Sequence, residues 1–440
     1  MNLREVIKVT HGLIISGERK NKEVGKICID SRNFEKGDIF VAIRGNNTSG
    51  HKYIKDVIDE ASLVITDRFI ISKSKTPIIR VFNAKKAIIN IGKYNRKKYI
   101  DKPLIAITGS VGKTTTKDLI AHIFETKYNI IKTEKNQNNE LGVALALSKI
   151  TDKNDIIILE MGMNHEKEIE KLSRMSKPGT AVITNIGTSH IGNLRSEENI
   201  LKAKLEITKY LKKGDLVVNG NDNYLKELKE NINYGIIKTD SSIVSNIKIK
   251  NKLYFDITID EKLYNIEFNI PNKYLIENIL LAIEVAKIYQ IPASSIVKAI
   301  NSFEGTENRL EEIKLNNNIT IINDCYNACL ESIRSSLSML NNTKKKKMAI
   351  IGDVLELGNH SEEIHKKIEE ELLKIEDLRV ITVGEATNII NTGIHFNNNE
   401  ELKKYLNRAK LDDTTILIKG SHGMHLEEIK DYIIEKYKAQ

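Results

Sequence analysis

Cysteine, aromatic residues and long apolar runs are all scarce in this sequence. Its three cysteines, Cys28, Cys325 and Cys329, have neither the number of a disulfide framework nor the spacing of a zinc site. No apolar run approaches the roughly 20 residues that span a bilayer, and the start, MNLREVIKVT, lacks the hydrophobic region of a signal peptide. We therefore expect a cytoplasmic protein without membrane insertion.

The net charge is +9, but the basic residues are not clustered as they are in a nucleic-acid-binding surface. Lysines are scattered among Asp and Glu, aromatic residues make up only 5% of the chain, and tryptophan is absent. The densest basic run, Lys344 to Lys347, precedes an apolar segment and is interpreted as a solvated loop. A mild positive field suits small polyanionic substrates, so we expect no nucleic-acid partner.

The length of 440 residues exceeds one ordinary core and predicts several domains. The first part contains short strand-like runs around one helical stretch. From Leu104, apolar strands alternate with amphipathic helices, which is the βαβ pattern, and a second such series follows the segment EGTENRLEE, interpreted as a linker. The sequence therefore predicts an α/β protein of three domains, at residues 1–83, 84–306 and 307–440.

The stretch AITGSVGKTTTKDLI, from Ala106 to Ile120, has the composition of a phosphate-binding loop. A strand precedes it and a helix-compatible segment follows, as such a loop requires. Glycines let backbone N–H groups turn toward phosphate oxygens at the helix N-terminus. Lys113 is placed to neutralise phosphates and Thr114 to bind magnesium. A glycine-rich turn with a surface lysine is the alternative, and the Gly-Lys-Thr-Thr core favours nucleotide binding.

Two further side chains follow predicted strand ends, where open α/β sheets bind their ligands. Glu160 ends the run DIIILE, the position of a metal-binding carboxylate in many nucleotide-binding domains. His190 follows a strand in TNIGTSHIGNL. Taken alone, Glu160 is equally consistent with a solvated strand end and His190 with a structural loop residue.

Four motifs in this order resemble the Mur ligases, the ATP-dependent peptide ligases of bacterial cell-wall synthesis: TGSVGKTTTK, ILEMGMNHEKEI, TNIGTSHIGNL and ILKAKLEI. The loop with only Ser110 and Val111 between its glycines is that family's form, which the folylpolyglutamate synthetases share. The segment ICIDSRNFEKGDIFVAIRGNNTSGHKYI is similar to the family's uridine-nucleotide domain. INDCYNA, IIGDVLELGNHSEEIH and ILIKGSHGM are most similar to the member that adds D-alanyl-D-alanine.

The resemblance covers essentially the whole chain. It implies a small α/β domain for the uridine nucleotide, a central ATP-binding domain with a mostly parallel sheet, and a C-terminal Rossmann-like domain. The implied reaction is ADP-forming amide synthesis, through an acyl phosphate, between UDP-N-acetylmuramoyl-tripeptide and D-alanyl-D-alanine in peptidoglycan synthesis. The implied state is a monomer. The third residue of the tripeptide, meso-diaminopimelate or lysine, stays open.

The resemblance also implies roles for individual residues. Magnesium is expected at two sites, one held by Thr114 and Glu160, the other by His190 and a carbamylated Lys204, with Lys202 as the alternative. Both lysines are equally consistent with surface cations on an amphipathic helix. Lys113, Lys204, His190 and Arg309 are the catalytic candidates. The ATP-binding residues are expected to be Gly109, Ser110, Val111, Gly112, Lys113, Thr114, Thr115, Asn278, Arg309, Asp324 and Asn327.

Substrate-binding residues are implied in each domain. Ser31, Arg32 and Arg44 are candidates for the uridine diphosphate. Lys419, Gly420 and Ser421 are expected near the reacting carboxylate or the incoming dipeptide. Asn138 and Asn139 are expected to line the substrate cleft, although asparagines at turns also have a purely structural use.

The chain departs from the family pattern at three places. Tyr274 and Leu275 stand where a His-Asn pair is usual, Cys329 and Leu330 where Asn-Pro is usual, and His422 where arginine is common. These departures leave open a diverged Mur-type or folylpolyglutamate-type ligase with another amine acceptor. A phosphate-loop switch or motor ATPase is the alternative from a different class of protein. ATP hydrolysis that strictly requires an acceptor would exclude this alternative.

Overall fold

The computed structural model describes residues 1–45, 48–134, 137–211, 213–306 and 308–438. Its amino-terminal sheet has the order β1-β5-β4-β3-β2, with β1 antiparallel to β5 and the other pairs parallel. Phe40, Val64 and Ile78 pack on one face of this sheet. The elements of this part are α1 (Leu3–Thr10), β1 (Leu13–Ser16), β2 (Ile27–Cys28), β3 (Ile39–Val41), α2 (Ile54–Val57), β4 (Leu63–Thr66) and β5 (Ile78–Arg80).

Helix α3 (Ala84–Lys98) joins the amino-terminal part to the central part. It packs against α1 and against α5 (Glu140–Ser148). Gly92 lets α3 approach α5 closely, because a Cβ there would lie 2.5 Å from the carbonyl oxygen of Ala144. Asn95 Nδ2 then donates to the carbonyl of Leu147 at 2.8 Å, at the end of α5. The pattern of strands in the sequence did not reveal this helix.

The central sheet has the order β11-β10-β9-β6-β8-β7, and all of these neighbours are parallel. The chain places β8 on one side of β6 and β9 on the other, so the strand order reverses at β6. In open α/β sheets, ligands bind beside the carboxyl ends of strands at such a reversal. The remaining elements are β6 (Leu104–Thr108), α4 (Lys113–Phe124), β7 (Ile130–Lys132), β8 (Ile156–Glu160), α6 (Glu168–Ser176), β9 (Thr180–Ile183), α7 (Ile191–Leu194), α8 (Glu197–Leu205), β10 (Asp215–Val218) and β11 (Gly235–Lys238).

An antiparallel sheet and two helices complete the central part. The alternation of buried and exposed residues along β13 reflects one packed and one solvated face. The structure thus has the hairpins that this alternation predicts. The elements are β12 (Val244–Ile249), β13 (Leu253–Ile259), β14 (Lys262–Phe268), α9 (Ile276–Ile288) and α10 (Ala293–Ser302).

The carboxyl-terminal sheet has the order β15-β16-β20-β17-β18-β19, parallel except for the β15–β16 pair. The interpretation of EGTENRLEE as a linker is wrong at its end, because Glu311–Lys314 forms β15. Its charged side chains are typical of an edge strand. The elements are β15 (Glu311–Lys314), β16 (Thr320–Asn323), α11 (Leu330–Asn341), β17 (Lys346–Gly352), α12 (Ser361–Leu373), β18 (Leu378–Val383), β19 (Ile394–Phe396), α13 (Asn399–Arg408), β20 (Thr414–Lys419) and α14 (Glu427–Tyr437).

The predicted fold class, an α/β protein of three domains, is confirmed by this architecture.

Strand β17 begins at Lys346, so the predicted basic loop is partly strand. Within the described ranges, no helix combines the length and apolarity that crossing a bilayer requires. Cys28, Cys325 and Cys329 are all buried as free thiols.

Candidate active site

The predicted phosphate loop connects β6 to α4, at the strand where the order of the central sheet reverses. Gly109 and Gly112 have φ values of +151° and +82°, in the region that favours glycine. Lys113 curls back over the loop, and its Nζ donates to the carbonyl oxygens of Gly109 at 2.8 Å and Ser110 at 3.2 Å. Burial lowers the pKa of Lys113. The lysine thus places its amine over the loop, where phosphate oxygens would bind.

The segment after β9 braces this loop. The side chain of Asn185 accepts from the N–H of Val111 and donates to its carbonyl, both at 2.9 Å. Thr184 Oγ1 donates to the same carbonyl at 2.6 Å. Gly187 N–H donates to Ser110 Oγ at 2.9 Å. The motif TNIG is therefore a support for the loop, a role that the sequence interpretation did not assign.

Asn278 closes the loop from α9. Its Nδ2 donates to the hydroxyl of Thr116 at 2.7 Å and to the carbonyl of Gly112 at 3.3 Å. A Cβ at Gly112 would lie 2.3 Å from that nitrogen, so the position of Asn278 and the φ of +82° both favour glycine here. Asn278 thus lies beside the loop.

A cavity of about 550 Å³ opens between the loop, α9 and the carboxyl-terminal part. That volume lies within the range of small-molecule sites. Glu277, beside Asn278, accepts from Asn221 at 2.8 Å, while its second carboxylate oxygen is buried without a partner among the described residues. Burial raises the pKa of Glu277. We call this space the larger cavity.

Glu160 ends β8 with its carboxylate buried beside the loop. Its Oε1 accepts from Asn138 Nδ2 at 2.9 Å. Its Oε2 is buried and has no partner among the residues that the structure describes. A buried carboxylate oxygen without a partner is costly unless a cation or donor binds it. Thr114, the second residue of α4, is itself buried and lines the larger cavity.

Lys204 and Lys202 lie on opposite sides of α8. Lys204 is 1% exposed and lines a second cavity with Lys113, Glu160 and His190. Burial, and then the neighbouring Lys113, lower the pKa of Lys204 well below its ordinary value. Lys202 is exposed. Of the two candidates, the structure brings Lys204 into the site.

This second cavity, the smaller cavity, has a volume of about 310 Å³. It adjoins the larger cavity, and one group of residues lines both. Two molecules bound in the two cavities would therefore contact each other beside these shared residues. The shared lining residues are Lys113, Ser189, Arg309, Asn327, Ala328 and Cys329.

The carboxyl ends of β16 and β20 supply buried charge to the site. Lys419 Nζ pairs with Asp324 Oδ2 at 2.5 Å and donates to the carbonyl of Asn327 at 3.1 Å. Ser336 Oγ also donates to Asp324 Oδ2, at 2.6 Å. Lys419 therefore holds the DCYNA loop in place. Arg309 lines both cavities, and its guanidinium stacks 4.3 Å from the ring centroid of Tyr326.

Two carboxylates from the carboxyl-terminal part contact the loop that carries His190. Glu331 accepts from the N–H and from the hydroxyl of Thr188, both at 3.0 Å. Glu356 Oε2 lies 2.5 Å from His190 Nδ1. This hydrogen bond holds the pKa of Glu356 below its usual value. Neither glutamate was singled out in the sequence, although both lie in or beside the quoted motifs.

Other predicted residues have structural contacts. Asn139 caps α5 by accepting from Gly142 N–H at 2.9 Å, unlike Asn138, which reaches Glu160. Ser421 Oγ accepts from Leu355 N–H at 2.9 Å and lines the smaller cavity. Gly420 packs tightly, because a Cβ there would lie 2.7 Å from Leu426 Cδ1.

Ser31, Arg32 and Arg44 lie in the amino-terminal part and line neither cavity. They follow the carboxyl ends of β2 and β3, which are parallel neighbours. Arg32 is exposed, and its guanidinium pairs with Asp30 at 2.6 Å. These residues therefore sit at one edge of the amino-terminal sheet, apart from the phosphate loop.

The three departures from the family pattern all face the cavities. Tyr274 and Leu275 line the larger cavity, and His422 lines the smaller one with its ring 5.8 Å from that of Tyr326. Cys329 lies between the two, and burial raises the pKa of its thiol. These residues form part of the cavity walls and leave Lys113, Thr114 and Glu160 in place.

Comparison with known families identifies two matching segments. Residues 107–286 match the Mur ligase middle domain. Residues 308–422 match the Mur ligase, glutamate ligase domain. The phosphate loop lies within the first segment, and Asp324 and Lys419 lie within the second.

Two relatives that align over nearly their full length share one name. The chain is 30% identical to the UDP-N-acetylmuramoyl-tripeptide–D-alanyl-D-alanine ligase of Bacillus subtilis, with 99% of this chain and 98% of the relative aligned. It is 31% identical to the ligase of that name from Rickettsia prowazekii, over 97% and 98% of the two chains. The crystal structure of MurF from Acinetobacter baumannii superposes with a TM-score of 0.83 at 24% identity, covering 98% of each chain.

Proposed function

This chain belongs to the family of UDP-N-acetylmuramoyl-tripeptide–D-alanyl-D-alanine ligases, and from that premise we propose that it joins D-alanyl-D-alanine to the UDP-linked muramoyl tripeptide in peptidoglycan synthesis. It is an ATP-dependent enzyme that forms an amide bond. The observation that carries the proposal is the pair of adjoining cavities that share Lys113 and Arg309. One space suits the nucleotide, and the other suits the two groups to be joined.

Bond formation needs an activated carboxylate. A carboxylate oxygen of the tripeptide attacks the γ-phosphorus of ATP, the bond to the bridging oxygen breaks, and ADP leaves. The amine of D-alanyl-D-alanine then attacks the acyl carbon, and the tetrahedral intermediate expels phosphate as the amine loses its proton. Anionic oxygens must approach one another in the first step, so Lys113 and Arg309 at the boundary of the cavities would screen their repulsion.

The residues beside the loop fit magnesium. Glu160 offers a buried carboxylate oxygen without a partner, Thr114 offers a hydroxyl, and oxygen ligands are those that Mg²⁺ prefers. His190 and Lys204 line the same smaller cavity and would hold a second ion. Bound magnesium would neutralise phosphate charge and polarise the phosphoryl group.

We propose a carbamate on Lys204. Reaction of its neutral amine with CO₂ forms an N–C bond, releases a proton and leaves an anionic oxygen ligand. The lowered pKa that burial gives Lys204 favours the neutral amine this reaction needs. An anionic carbamate would also attract Lys113, whereas a protonated Lys204 would be repelled by it.

The three parts of the chain would divide the substrates between them. We propose residues 1–83 for the uridine nucleotide, 84–306 for ATP and 307–440 for the amine acceptor. Ser31, Arg32 and Arg44 would contact the diphosphate after Arg32 leaves Asp30. Ser421 and Gly420 would lie near the dipeptide, with Lys419 holding Asp324 beside the nucleotide. A cytoplasmic monomer stays a prediction.

The deciding experiment measures phosphate release from ATP with UDP-N-acetylmuramoyl-tripeptide, with and without D-alanyl-D-alanine, using both tripeptide variants. We expect release that requires both substrates and yields the UDP-pentapeptide by mass spectrometry, and no release by Lys113→Ala. Release without either substrate would instead support a switch or motor ATPase. Nucleotide binding without product would indicate another acceptor, selected by Tyr274, Cys329 and His422.

A further inference from the structure

The loop from Thr188 to Gly192 is held from outside the central part. Glu331, on α11, accepts two hydrogen bonds from Thr188. Glu356, between β17 and α12, contacts the imidazole of His190 at 2.5 Å. A carboxylate therefore binds each of two residues on a loop that also contacts the phosphate loop, because Ser189 Oγ donates to the carbonyl of Ser110 at 3.3 Å.

The backbone at Glu356 docks onto the same loop. The N–H of Gly192 donates to the carbonyl of Glu356 at 3.0 Å. A Cβ on Gly192 would lie 2.5 Å from that carbonyl oxygen, and one on Gly358 would lie 3.1 Å from Gly192 Cα. Gly192 is required for this approach of the two backbones, and the φ of +54° at Gly358 favours glycine there as well. The contact is therefore built into both segments rather than made by one pair of flexible side chains.

Both partners of the hydrogen bond have unusual backbone conformations. His190 has a φ of 66° and Glu356 a φ of 63°, in the left-handed region that residues other than glycine seldom adopt. Such conformations persist where the surroundings impose them, and they cluster at functional sites. An ordinary surface ion pair does not need them, and ordinary pairs contribute little to stability.

The hydrogen bond also selects one form of the imidazole. Because a glutamate carboxylate only accepts, the proton of this hydrogen bond lies on Nδ1 of His190, and the Nδ1 side of the ring is held toward Glu356. This is the arrangement of histidines that bind metals, whose second nitrogen donates to a carboxylate. Nε2 is then the nitrogen available to the smaller cavity.

We propose that Glu356 is a positioning residue that fixes the tautomer and orientation of His190 when the carboxyl-terminal part docks on the central part. The second cation site is then complete only in the docked form. Phosphoryl transfer therefore occurs only when the carboxyl-terminal part, which would bind the amine acceptor, is docked on the central part. This inference rests on the proposed function of the site.

The test uses Mn²⁺ with ADP and three variants. Mn²⁺ affinity is measured by calorimetry, and imidazole coordination by the ¹⁴N modulation of the Mn²⁺ electron spin echo. We expect Glu356→Ala to weaken binding at the histidine site roughly 10- to 100-fold and to abolish the ¹⁴N modulation. Glu356→Gln, whose amide oxygen still accepts from Nδ1, should retain it. Glu362→Ala, which removes an exposed partner of Lys366, is the matched control.

An unchanged ¹⁴N signal and affinity in Glu356→Ala would overturn the inference, as would the absence of imidazole modulation in the unsubstituted protein. Circular dichroism of each variant establishes that the fold is kept. Ligase turnover of the unsubstituted protein is measured separately. If the ¹⁴N signal depends on Glu356 but the unsubstituted protein has no ligase turnover, the positioning role is supported and the proposed function is refuted.

Discussion

At the scale of single residues, burial separates side chains that the sequence leaves equivalent. Lys202 and Lys204 are two positions apart on α8, about 200° around a helix that has 3.6 residues per turn, so they face opposite sides. One is exposed and the other is 1% exposed among the residues of the smaller cavity. The chemistry proposed for Lys204 depends on that difference.

We predict that Lys204→Ala lowers kcat by at least about 100-fold, as expected when a charge-stabilising group is lost, and that short-chain carboxylic acids restore much of it. An added carboxylate would occupy the space left by the side chain and supply the missing anion. Lys202→Ala should have nearly unchanged turnover. Steady-state phosphate release with increasing acetate or propionate measures this.

Failure of acids to restore Lys204→Ala, with ATP binding intact, would argue against the carbamate. Loss of turnover in Lys202→Ala would place the functional lysine on the exposed side of α8 instead.

At the scale of elements, the N-terminus of α5 places one asparagine beside Glu160 and uses its neighbour as the helix cap. Asn138 donates to Glu160 at 2.9 Å, while the exposed Asn139 caps the helix by accepting from Gly142 N–H, also at 2.9 Å. The residues are adjacent, so the cap fixes where Asn138 points. The same dipeptide serves the helix and the carboxylate.

These two asparagines give opposite predictions. Asn139→Ala should lower the free energy of unfolding by about 1 kcal/mol, the usual cost of losing an N-cap, with kcat nearly unchanged. Asn138→Ala should lower kcat roughly 10- to 100-fold, as for partners that orient metal ligands, with a small change in stability. Urea unfolding and steady-state kinetics on both variants measure this, and the reverse pattern would contradict the assignment.

At the scale of the whole molecule, the site exists because the carboxyl-terminal part docks on the central part. Glu331 and Glu356 contact the loop at Thr188 to Gly192, and Asn272 Nδ2 donates to Ser335 Oγ at 2.9 Å on another side. Buried apolar residues of both parts also belong to one continuous cluster, among them Leu194, Leu330 and Leu357, so docking combines apolar packing with these hydrogen bonds. Interfaces between domains of one chain commonly permit relative motion.

We predict that Glu331→Ala loosens this docking. Hydrogen bonds to a charged group contribute about 1.5–3 kcal/mol, so the KM for ATP should rise roughly tenfold and the radius of gyration should increase. Small-angle X-ray scattering and kinetics measure the two effects. Glu363→Ala, an exposed glutamate paired with Lys367, is the control. A radius of gyration equal to that of the control would show that Glu331 does not hold the domains together.

Local patterns in the sequence predicted much of the fold and the phosphate loop. Strands such as β6 and β8 are continuous apolar runs, and the glycines at 109 and 112 are required by local backbone geometry. Helix α3 and the edge strand β15 were missed, because α3 packs between two parts of the chain and β15 is charged. Their places depend on partners distant in sequence.

The sequence by itself determined the α/β class, the phosphate loop and the family, since these follow from periodicity and from residues close together in the chain. Only the tertiary structure decided that Lys204 rather than Lys202 enters the site, that Asn139 is a cap, and that Glu331 and Glu356 reach the loop of His190. Those outcomes depend on burial and on contacts such as that between His190 and Glu356, 166 positions apart, which no local pattern encodes.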